Sequence, residues 1–231
     1  MKQKLLGKIP LCGVRRQSRS TVPFTDSAFR LILTSMSDAA IKIYDGEQGF
    51  TYADYKDWEL DEGERFELID GAAYAMAAPN DYHQAILMEL ARQMANYLRG
   101  KPCKVRPAPY DVRLFYADDE SDNTVVQPDI SVICDEKKRG PEGCRGAPDL
   151  VVEILSPANI AEEMVRKFNL YMNAGVREYW VVAPKSKTVQ AFVLKDGAYM
   201  GTVYDSSTPG AVLHSAVIEG LTIALNDVFA P

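Results

Sequence analysis

Two carboxylates and one lysine lie at positions where this chain is otherwise apolar. Asp129 and Glu153 fall inside the β-branched and aliphatic segments 124–134 and 149–155, which are predicted strands. Lys167 falls in the apolar stripe of a predicted helix. A buried charge is costly unless it is paired or bound to a metal, so three of them together predict a functional site.

These side-chain types suit the hydrolysis of a phosphodiester with a divalent cation. Carboxylate oxygens hold Mg²⁺ while leaving coordination positions open for water and substrate. The cation activates the water, and a nearby ammonium orients that water or neutralises the developing charge. Asp129 and Glu153 fit the metal-binding role if their strands are neighbours, and Lys167 fits the cationic role. The alternative is structural: each acid pairs with an arginine or faces water, and Lys167 extends its ammonium into solvent.

Three further side chains have both a functional and a structural interpretation. Glu67 lies inside an apolar strand and is either a metal ligand or support, or an exposed strand residue. His83 begins a predicted helix on its apolar side and is either a site residue or a satisfied helix-end histidine. Asp111 either belongs to the site or pairs with its neighbour Arg113.

The elements that position these groups alternate between helices and strands. Thr51 and Asp54 form a capping-box pattern that opens a short helix, and Asp70-Gly71 predicts a tight hairpin. The predicted helices cover 51–60, 82–99 and 159–174, and the predicted strands cover 65–69, 72–77, 104–116, 124–134, 149–155, 178–183, 188–194 and 199–204, with a polar loop over 135–147.

Helices embedded among many strands, with no internal repeat or long linker, predict one α/β (α+β) domain with a mixed β-sheet flanked by helices. The 231-residue chain is 47% hydrophobic and 25% charged, which is enough for one sizeable core. No apolar run approaches about 18 residues, so no membrane-spanning helix is expected. The four cysteines lack CxxC or CxxH spacing, which predicts reduced thiols in a cytoplasmic protein and no zinc site.

Charge is distributed unevenly between the N-terminal segment and the rest of the chain. Residues 1–35 carry seven basic side chains and one acidic one, whereas residues 36–231 carry 19 basic and 31 acidic ones, a net charge of −12. The N-terminal segment shows no sustained periodicity, so we expect a basic, disordered tail or an extension upstream of a true start at Met36. A transit peptide and a DNA-binding arm are the alternatives.

Composition and motifs also narrow the class of protein. The acidic body argues against binding nucleic acid by broad charge neutralisation, but not against a metal-dependent nuclease, because a bound cation offsets the site carboxylates locally. The chain has only two histidines and neither a GxSxG nor a GxxxxGK[ST] motif. A serine hydrolase and a P-loop NTPase are therefore disfavoured.

Several spaced sequence blocks resemble, in order, the Uma-two family, which is described as restriction endonucleases. The similarity covers roughly residues 45–205, and its blocks are Phe66–Gly71, the helix start near His83, Val126–Ile130, Ala147–Pro157 and Gly175–Trp180. That family resembles the PD-(D/E)XK nuclease superfamily. The resemblance implies a restriction-endonuclease-like mixed sheet flanked by helices and a Mg²⁺- or Mn²⁺-dependent cut of DNA.

The resemblance also implies roles for individual residues. Pro128-Asp129 corresponds to the first element of the superfamily pattern and Glu153-Ile154-Leu155 to the second, in which Leu155 replaces the usual lysine. Because a leucine can neither orient water nor stabilise charge, Lys167 on the following helix is the expected replacement. Glu67 matches the acid that often completes such sites. These three acids are the expected metal ligands, and together with the lysine they are the expected catalytic residues.

We therefore expect a cytoplasmic Mg²⁺-dependent endonuclease that acts on DNA, formed by one domain over residues 36–231, with no membrane partner. One alternative is a catalytically weak nucleic-acid-binding or accessory protein that retains the nuclease fold. Another is a metal-dependent hydrolase of a different phosphate ester. The strands from Thr188 onward present an edge suited to pairing two copies, so a homodimer is a further possibility.

Overall fold

The computed structural model describes residues 47–156 and 161–230 of the chain. The predictions for residues 1–35 and for the start of the helix at 159–160 lie outside these residues. The helices are α1 Tyr52–Tyr55, α2 Asp81–Leu98, α3 Ala161–Ala174 and α4 Leu225–Val228, with a 3₁₀ helix at Glu136–Lys138. The strands are β1 Phe66–Ile69, β2 Ala72–Ala75, β3 Lys104–Pro107, β4 Val112–Arg113, β5 Val125–Val126, β6 Ile130–Ile133, β7 Arg139–Gly140, β8 Gly143–Arg145, β9 Leu150–Ile154, β10 Glu178–Ala183, β11 Thr188–Lys195, β12 Ala198–Asp205, β13 Val212–His214 and β14 Thr222–Ala224.

The strands form two six-stranded sheets and one two-stranded ribbon. The first sheet has the order β2-β1-β5-β4-β8-β7, the second has the order β12-β11-β10-β9-β6-β3, and β13 pairs with β14. Each large sheet is mixed, because β4 and β8 are parallel in the first and β9 and β10 are parallel in the second. The predicted α+β class with mixed sheet is confirmed, although the strands divide between two large sheets rather than forming one.

Local sequence signals explain two of the regular elements. Asp70 and Gly71 connect β1 to β2 with φ angles of 51° and 79°, the left-handed conformation that a two-residue hairpin turn requires. The N-cap of α2 is Asn80, whose side chain accepts a hydrogen bond from the His83 main-chain N–H. Both elements lie within one or two residues of their predicted positions.

The second sheet is covered on both faces. On one face, α2 and the C-terminal ribbon pack against Leu150, Val152 and Trp180. On the other face, α3 packs against Val151 and Tyr179. The alternation along β9 therefore directs Glu153 to the α3 side of the sheet. Within the described residues, no helix is long and apolar enough to cross a membrane.

The prediction of one continuous strand over residues 124–134 is wrong. This segment divides into β5 in the first sheet and β6 in the second, with Gln127–Asp129 between them. Pro128 lacks a main-chain N–H and cannot continue a ladder, so the chain leaves one sheet there and enters the other. This crossing places Asp129 directly before β6.

Three other boundaries differ because tertiary pairing overrides local pattern. The first helix ends at Tyr55 rather than Leu60, and the strand 104–116 divides into β3 and β4. The predicted loop 135–147 contains the hairpin of β7 and β8.

The prediction that all cysteines are reduced is wrong for one pair. Cys103 and Cys134 form a disulfide, because they lie directly beside the paired residues Lys104 and Ile133 of β3 and β6. Their separation of 31 residues in sequence gave no indication of this cross-strand position. Cys144 is free and buried.

Candidate active site at the ends of two neighbouring strands

Asp129 and Glu153 lie at the same level of two adjacent antiparallel strands. Each is one residue beyond the Ile130–Val152 pair that joins β6 to β9. The Oδ2 atom of Asp129 accepts a hydrogen bond of 2.7 Å from the main-chain N–H of Ile154. The expected adjacency of the two strands is observed, and the carboxylate of Asp129 is tied to the residue that follows Glu153.

Lys167 extends from α3 to the carboxylates rather than into solvent. Its Nζ atom lies 3.1 Å from Oε1 of Glu153 and 3.1 Å from Oε1 of Glu67. Its side chain is only 10% exposed. The ammonium therefore forms a buried bridge between two acids that come from different sheets.

Glu67 is buried in β1 and connects this bridge to the segment Gln127–Asp129, where the chain passes from one sheet to the other. Besides Lys167, its Oε1 atom accepts a 3.0 Å hydrogen bond from the main-chain N–H of Gln127. Its side chain is 5% exposed. Glu67 thus fixes both the lysine and the segment that delivers Asp129.

Asp111 belongs to a second polar layer behind Glu67. Its Oδ1 atom accepts hydrogen bonds from Nε2 of Gln127 at 2.9 Å and from the Tyr55 hydroxyl at 3.2 Å. Burial raises the pKa of Asp111, although these two donors oppose that effect. Of the two alternatives for Asp111, pairing with Arg113 is wrong, because the Arg113 guanidinium instead binds Asp122.

Tyr171 is a site residue that the sequence analysis missed. Its hydroxyl donates a 2.6 Å hydrogen bond to Oε1 of Glu153. Its ring belongs to the apolar stripe of α3 and is fully buried, which conceals its polar role. Its position four residues after Lys167, on the same helical face, is the signal that could have identified it.

His83 reaches the site from the opposite face of the sheet. Its Nε2 atom lies 3.1 Å from the main-chain oxygen of Ile154 and 3.3 Å from Oδ2 of Asp129. Burial lowers the pKa of His83, but the hydrogen bond and charge of Asp129, together with the Ile154 carbonyl and the charge of Glu153, outweigh burial, so the net shift of the pKa is upward.

The protonation of the central ion pair follows from burial and charge. Burial raises the pKa of Glu153 to about 7; the Lys167 ammonium opposes that rise, and the carboxylates of Asp129 and Glu67 reinforce it. Burial alone would lower the pKa of Lys167, but Glu153 and Glu67 reverse the effect and raise it above its usual range. Lys167 therefore stays protonated under ordinary conditions.

The cluster has spare negative charge and spare oxygen atoms. Two carboxylates, those of Glu67 and Glu153, face the Lys167 ammonium, and Asp129 adds a third negative charge near Glu153. Within the described residues both hydrogen bonds to Glu153 go to Oε1, which leaves Oε2 uncommitted. A cleft lined by Glu153, Leu155, Met164 and Lys167 opens beside it. These features fit a divalent cation held by oxygen donors. In the part of the chain that the structure describes, no three His, Cys, Asp or Glu side chains are placed so that they could hold a metal ion together, so a cation here would need main-chain oxygens or water as further ligands.

The mixed sheets, the flanking helices and this cluster define a restriction-endonuclease-like fold. The family model Uma2, described as "Putative restriction endonuclease", matches residues 52–226. The chain belongs to this family, and family and fold together support a nuclease as its class.

Proteins similar to this chain include one from a comparison of sequences and one from a comparison of structures. Protein slr1290 of Synechocystis sp. is 29% identical over 144 residues, which are 62% of this chain and 73% of that protein. The crystal structure of a "putative nuclease belonging to DUF820" from Anabaena variabilis superposes with a TM-score of 0.61 at 20% identity. That similarity covers 78% of this chain and 98% of the other, and it concerns the fold.

Proposed function

We propose that this protein is a divalent-metal-dependent endonuclease that hydrolyses phosphodiester bonds of DNA at the cluster of Asp129, Glu153 and Lys167. The observation that carries the proposal is the Lys167 ammonium, held 3.1 Å from Glu153 beside the strand that bears Asp129. A cytoplasmic location is part of the same proposal.

Asp129 and Glu153 would hold Mg²⁺ or Mn²⁺. The cation, when bound, would supply the Lewis acid that activates water and offsets charge on the phosphate. Asp129 is suited to this role because its carboxylate is already oriented by the Ile154 N–H. Glu153 is suited because Oε2 is not engaged by the described residues and its strand borders the cleft.

Lys167 acts as a fixed positive charge rather than as a base. Two carboxylates hold its proton in place, so it orients the attacking water or stabilises the negative charge that develops on the phosphate. It thereby takes the place of the lysine that the superfamily pattern has at the position of Leu155. The hydrophobic Leu155 side chain instead lines the cleft.

Glu67 and Tyr171 are positioning residues in this proposal. Glu67 anchors the lysine from the opposite side, and Tyr171 fixes the Oε1 atom of Glu153. Because Lys167 and Tyr171 both donate to Oε1 of Glu153, the described residues leave the Oε2 atom of this carboxylate free. Glu67 was expected to be a metal ligand as well, and its contacts favour the supporting role.

A nicking assay tests the proposal. Supercoiled plasmid is incubated with the untagged full-length protein and Mg²⁺ or Mn²⁺, with and without EDTA. Asp129→Asn, which keeps the acceptor for the Ile154 N–H, should abolish nicking, whereas Asp57→Asn at an exposed position should not. Equal nicking by wild type and Asp129→Asn would identify a contaminating nuclease and refute the proposal.

The same preparations separate the alternatives. Metal-independent DNA binding without cleavage would support the accessory protein. Cleavage of RNA or of a small aryl phosphodiester, but not of DNA, would support a hydrolase of another phosphate ester.

A further inference from the structure

His83 occupies a corner at which two oxygen acceptors converge on one nitrogen. Its Nε2 atom lies 3.1 Å from the Ile154 carbonyl oxygen and 3.3 Å from Oδ2 of Asp129. A single N–H can serve both acceptors only as a shared, three-centre hydrogen bond, which is weaker to each acceptor than a direct one. The other ring nitrogen, Nδ1, is buried and has no hydrogen-bond partner among residues 47–156 and 161–230.

These separations match those between neighbouring ligands of one cation. At metal–ligand distances of about 2.1 Å, adjacent donors of an octahedral ion lie roughly 3.0 Å apart. We infer that His83 supplies a nitrogen ligand, next to Asp129 and the Ile154 carbonyl, to the divalent cation of the proposed nuclease. The inference rests on the proposed function. Ligation requires an unprotonated Nε2, with the ring proton on Nδ1.

A nitrogen ligand has a consequence for metal choice. Mg²⁺ favours oxygen donors, whereas imidazole suits the first-row transition metals. The site should therefore bind Mn²⁺ more tightly than Mg²⁺, and His83 should be the cause of that preference.

The two histidines of the chain make a direct test possible. Pulsed electron paramagnetic resonance of untagged, Mn²⁺-loaded protein should show ¹⁴N coupling from one imidazole. His83→Gln should lose the coupling and weaken Mn²⁺ binding by roughly 10-fold or more, with a smaller change for Mg²⁺. His214→Gln, at an exposed position of β13, is the matched control and should keep both.

Each outcome decides between the inference and the proposed function. Bound Mn²⁺ without ¹⁴N coupling would overturn the inference and leave the metal-dependent nuclease standing. Failure of the wild type to bind Mn²⁺ or Mg²⁺ would overturn both. If His83→Gln does not fold, His214→Gln alone decides, because any imidazole coupling in that variant comes from His83.

A second, independent observation concerns the two edges of the second sheet. Edge strand β3 has four residues and carries Lys104, Arg106 and Pro107, which are features that discourage edge pairing. Edge strand β12 has eight residues, and its first charged side chain is Asp205 at the end. Met200 and Val203 of β12 are 61% and 66% exposed.

We propose that β12 pairs antiparallel with β12 of a second copy of this chain. Ser206 N–H donates to the Lys187 oxygen, and the alternation that follows along β12 directs the N–H of Val203 outward, away from β11. An antiparallel pair of identical edges is related by a two-fold axis. The uncharged residues 198–204 meet without like-charge repulsion, although the chain has a net charge of −6.

Light scattering after gel filtration tests this pairing. The wild-type 25.7 kDa chain should elute as a dimer, and Val203→Pro should be monomeric while remaining folded, because only an outward N–H is lost. Met88→Lys, which removes an exposed apolar side chain elsewhere, should remain dimeric. A monomeric wild type at about 100 μM, or a dimeric Val203→Pro, would overturn the proposal.

Discussion

Glu153 and Glu178 are carboxylates in the neighbouring parallel strands β9 and β10, and their surroundings differ. Glu178 is fully buried. Among the described residues, all the donors to Glu178 are neutral: the Trp180 indole N–H, the Ser215 hydroxyl and the main-chain N–H groups of Ala216 and Val217. Glu153 lies on the other face, next to a lysine, two further carboxylates and a cleft.

The difference distinguishes a structural from a functional buried acid. The four donors of Glu178 engage both of its oxygens and attach the segment before β14 to the sheet, so no oxygen is left for a ligand. Glu153 has both hydrogen bonds on one oxygen and an unfavourable local charge. A buried carboxylate with satisfied oxygens stabilises a fold, whereas one with an uncommitted oxygen beside excess negative charge can bind a cation.

The largest expected effect is on catalysis at Glu153. Glu153→Gln should lower DNA nicking by about 10³-fold or more, which corresponds to roughly 4 kcal/mol of transition-state stabilisation. Its melting temperature should change little, because burial already disfavours the charged form of Glu153 and Lys167 retains Glu67. Nicking rates and thermal melts of the same preparation measure both quantities. Wild-type activity in this variant would remove Glu153 from the active site.

Lys167→Met should affect both activity and stability. Nicking should fall by about 10²–10⁴-fold if the ammonium acts on the water or the phosphate. The loss of the Lys167 ammonium between Glu67 and Glu153 should also lower the free energy of unfolding by about 3–5 kcal/mol. If Lys167 were exposed or paired with a single acid, its replacement by Met would leave the stability of the fold nearly unchanged. The buried bridge to two acids is the reason to expect a loss.

Thermal melts with added Mg²⁺ sharpen the Lys167 prediction. A divalent cation should raise the melting temperature of Lys167→Met more than that of the wild type, because it supplies positive charge that the variant lacks. Lys137→Met, at an exposed position, is the matched control and should behave as wild type. An unchanged melting temperature in Lys167→Met would show that the buried bridge contributes nothing to stability.

Glu178→Gln should show the opposite pattern. In the variant, one carboxylate oxygen becomes an NH₂ group, which faces the donors that this oxygen accepted from. At least one main-chain N–H therefore loses its acceptor, which should lower the free energy of unfolding by about 2–3 kcal/mol. We expect the melting temperature to fall by roughly 4–12 °C, with metal affinity and nicking per folded molecule unchanged. A loss of metal binding in this variant would break the distinction between the two acids.

Tyr171→Phe should have the smallest effect. It removes the hydroxyl that orients Glu153, and we expect about a 10-fold loss of nicking from a hydrogen bond to a charged group worth about 1.5–3 kcal/mol. Tyr199→Phe is the control, because the Tyr199 hydroxyl donates to the Val176 carbonyl at 2.9 Å. It should lower stability alone. Equal nicking by both variants would show that Tyr171 only packs.

Local patterns were enough to predict much of the framework. The Asp70-Gly71 turn and the limits of α2 follow from conformational preference, capping and apolar periodicity, which act over a few residues. The approach of Lys167 to Glu153 was also predictable, because a charge in an apolar stripe needs a partner and the resemblance to the nuclease superfamily leads one to expect a lysine where this chain has Leu155.

Partners far apart in sequence were decided only by the tertiary structure. Lys167 meets Glu67 across 100 residues, and Glu178 meets Ser215 across 37 residues. The split at Pro128 and the Cys103–Cys134 disulfide likewise depend on which strands lie side by side. The sequence by itself determined where charges interrupt apolar segments. Which of those charges is satisfied and which is left to bind a ligand depends on long-range packing, because no local rule selects the partner of a buried group.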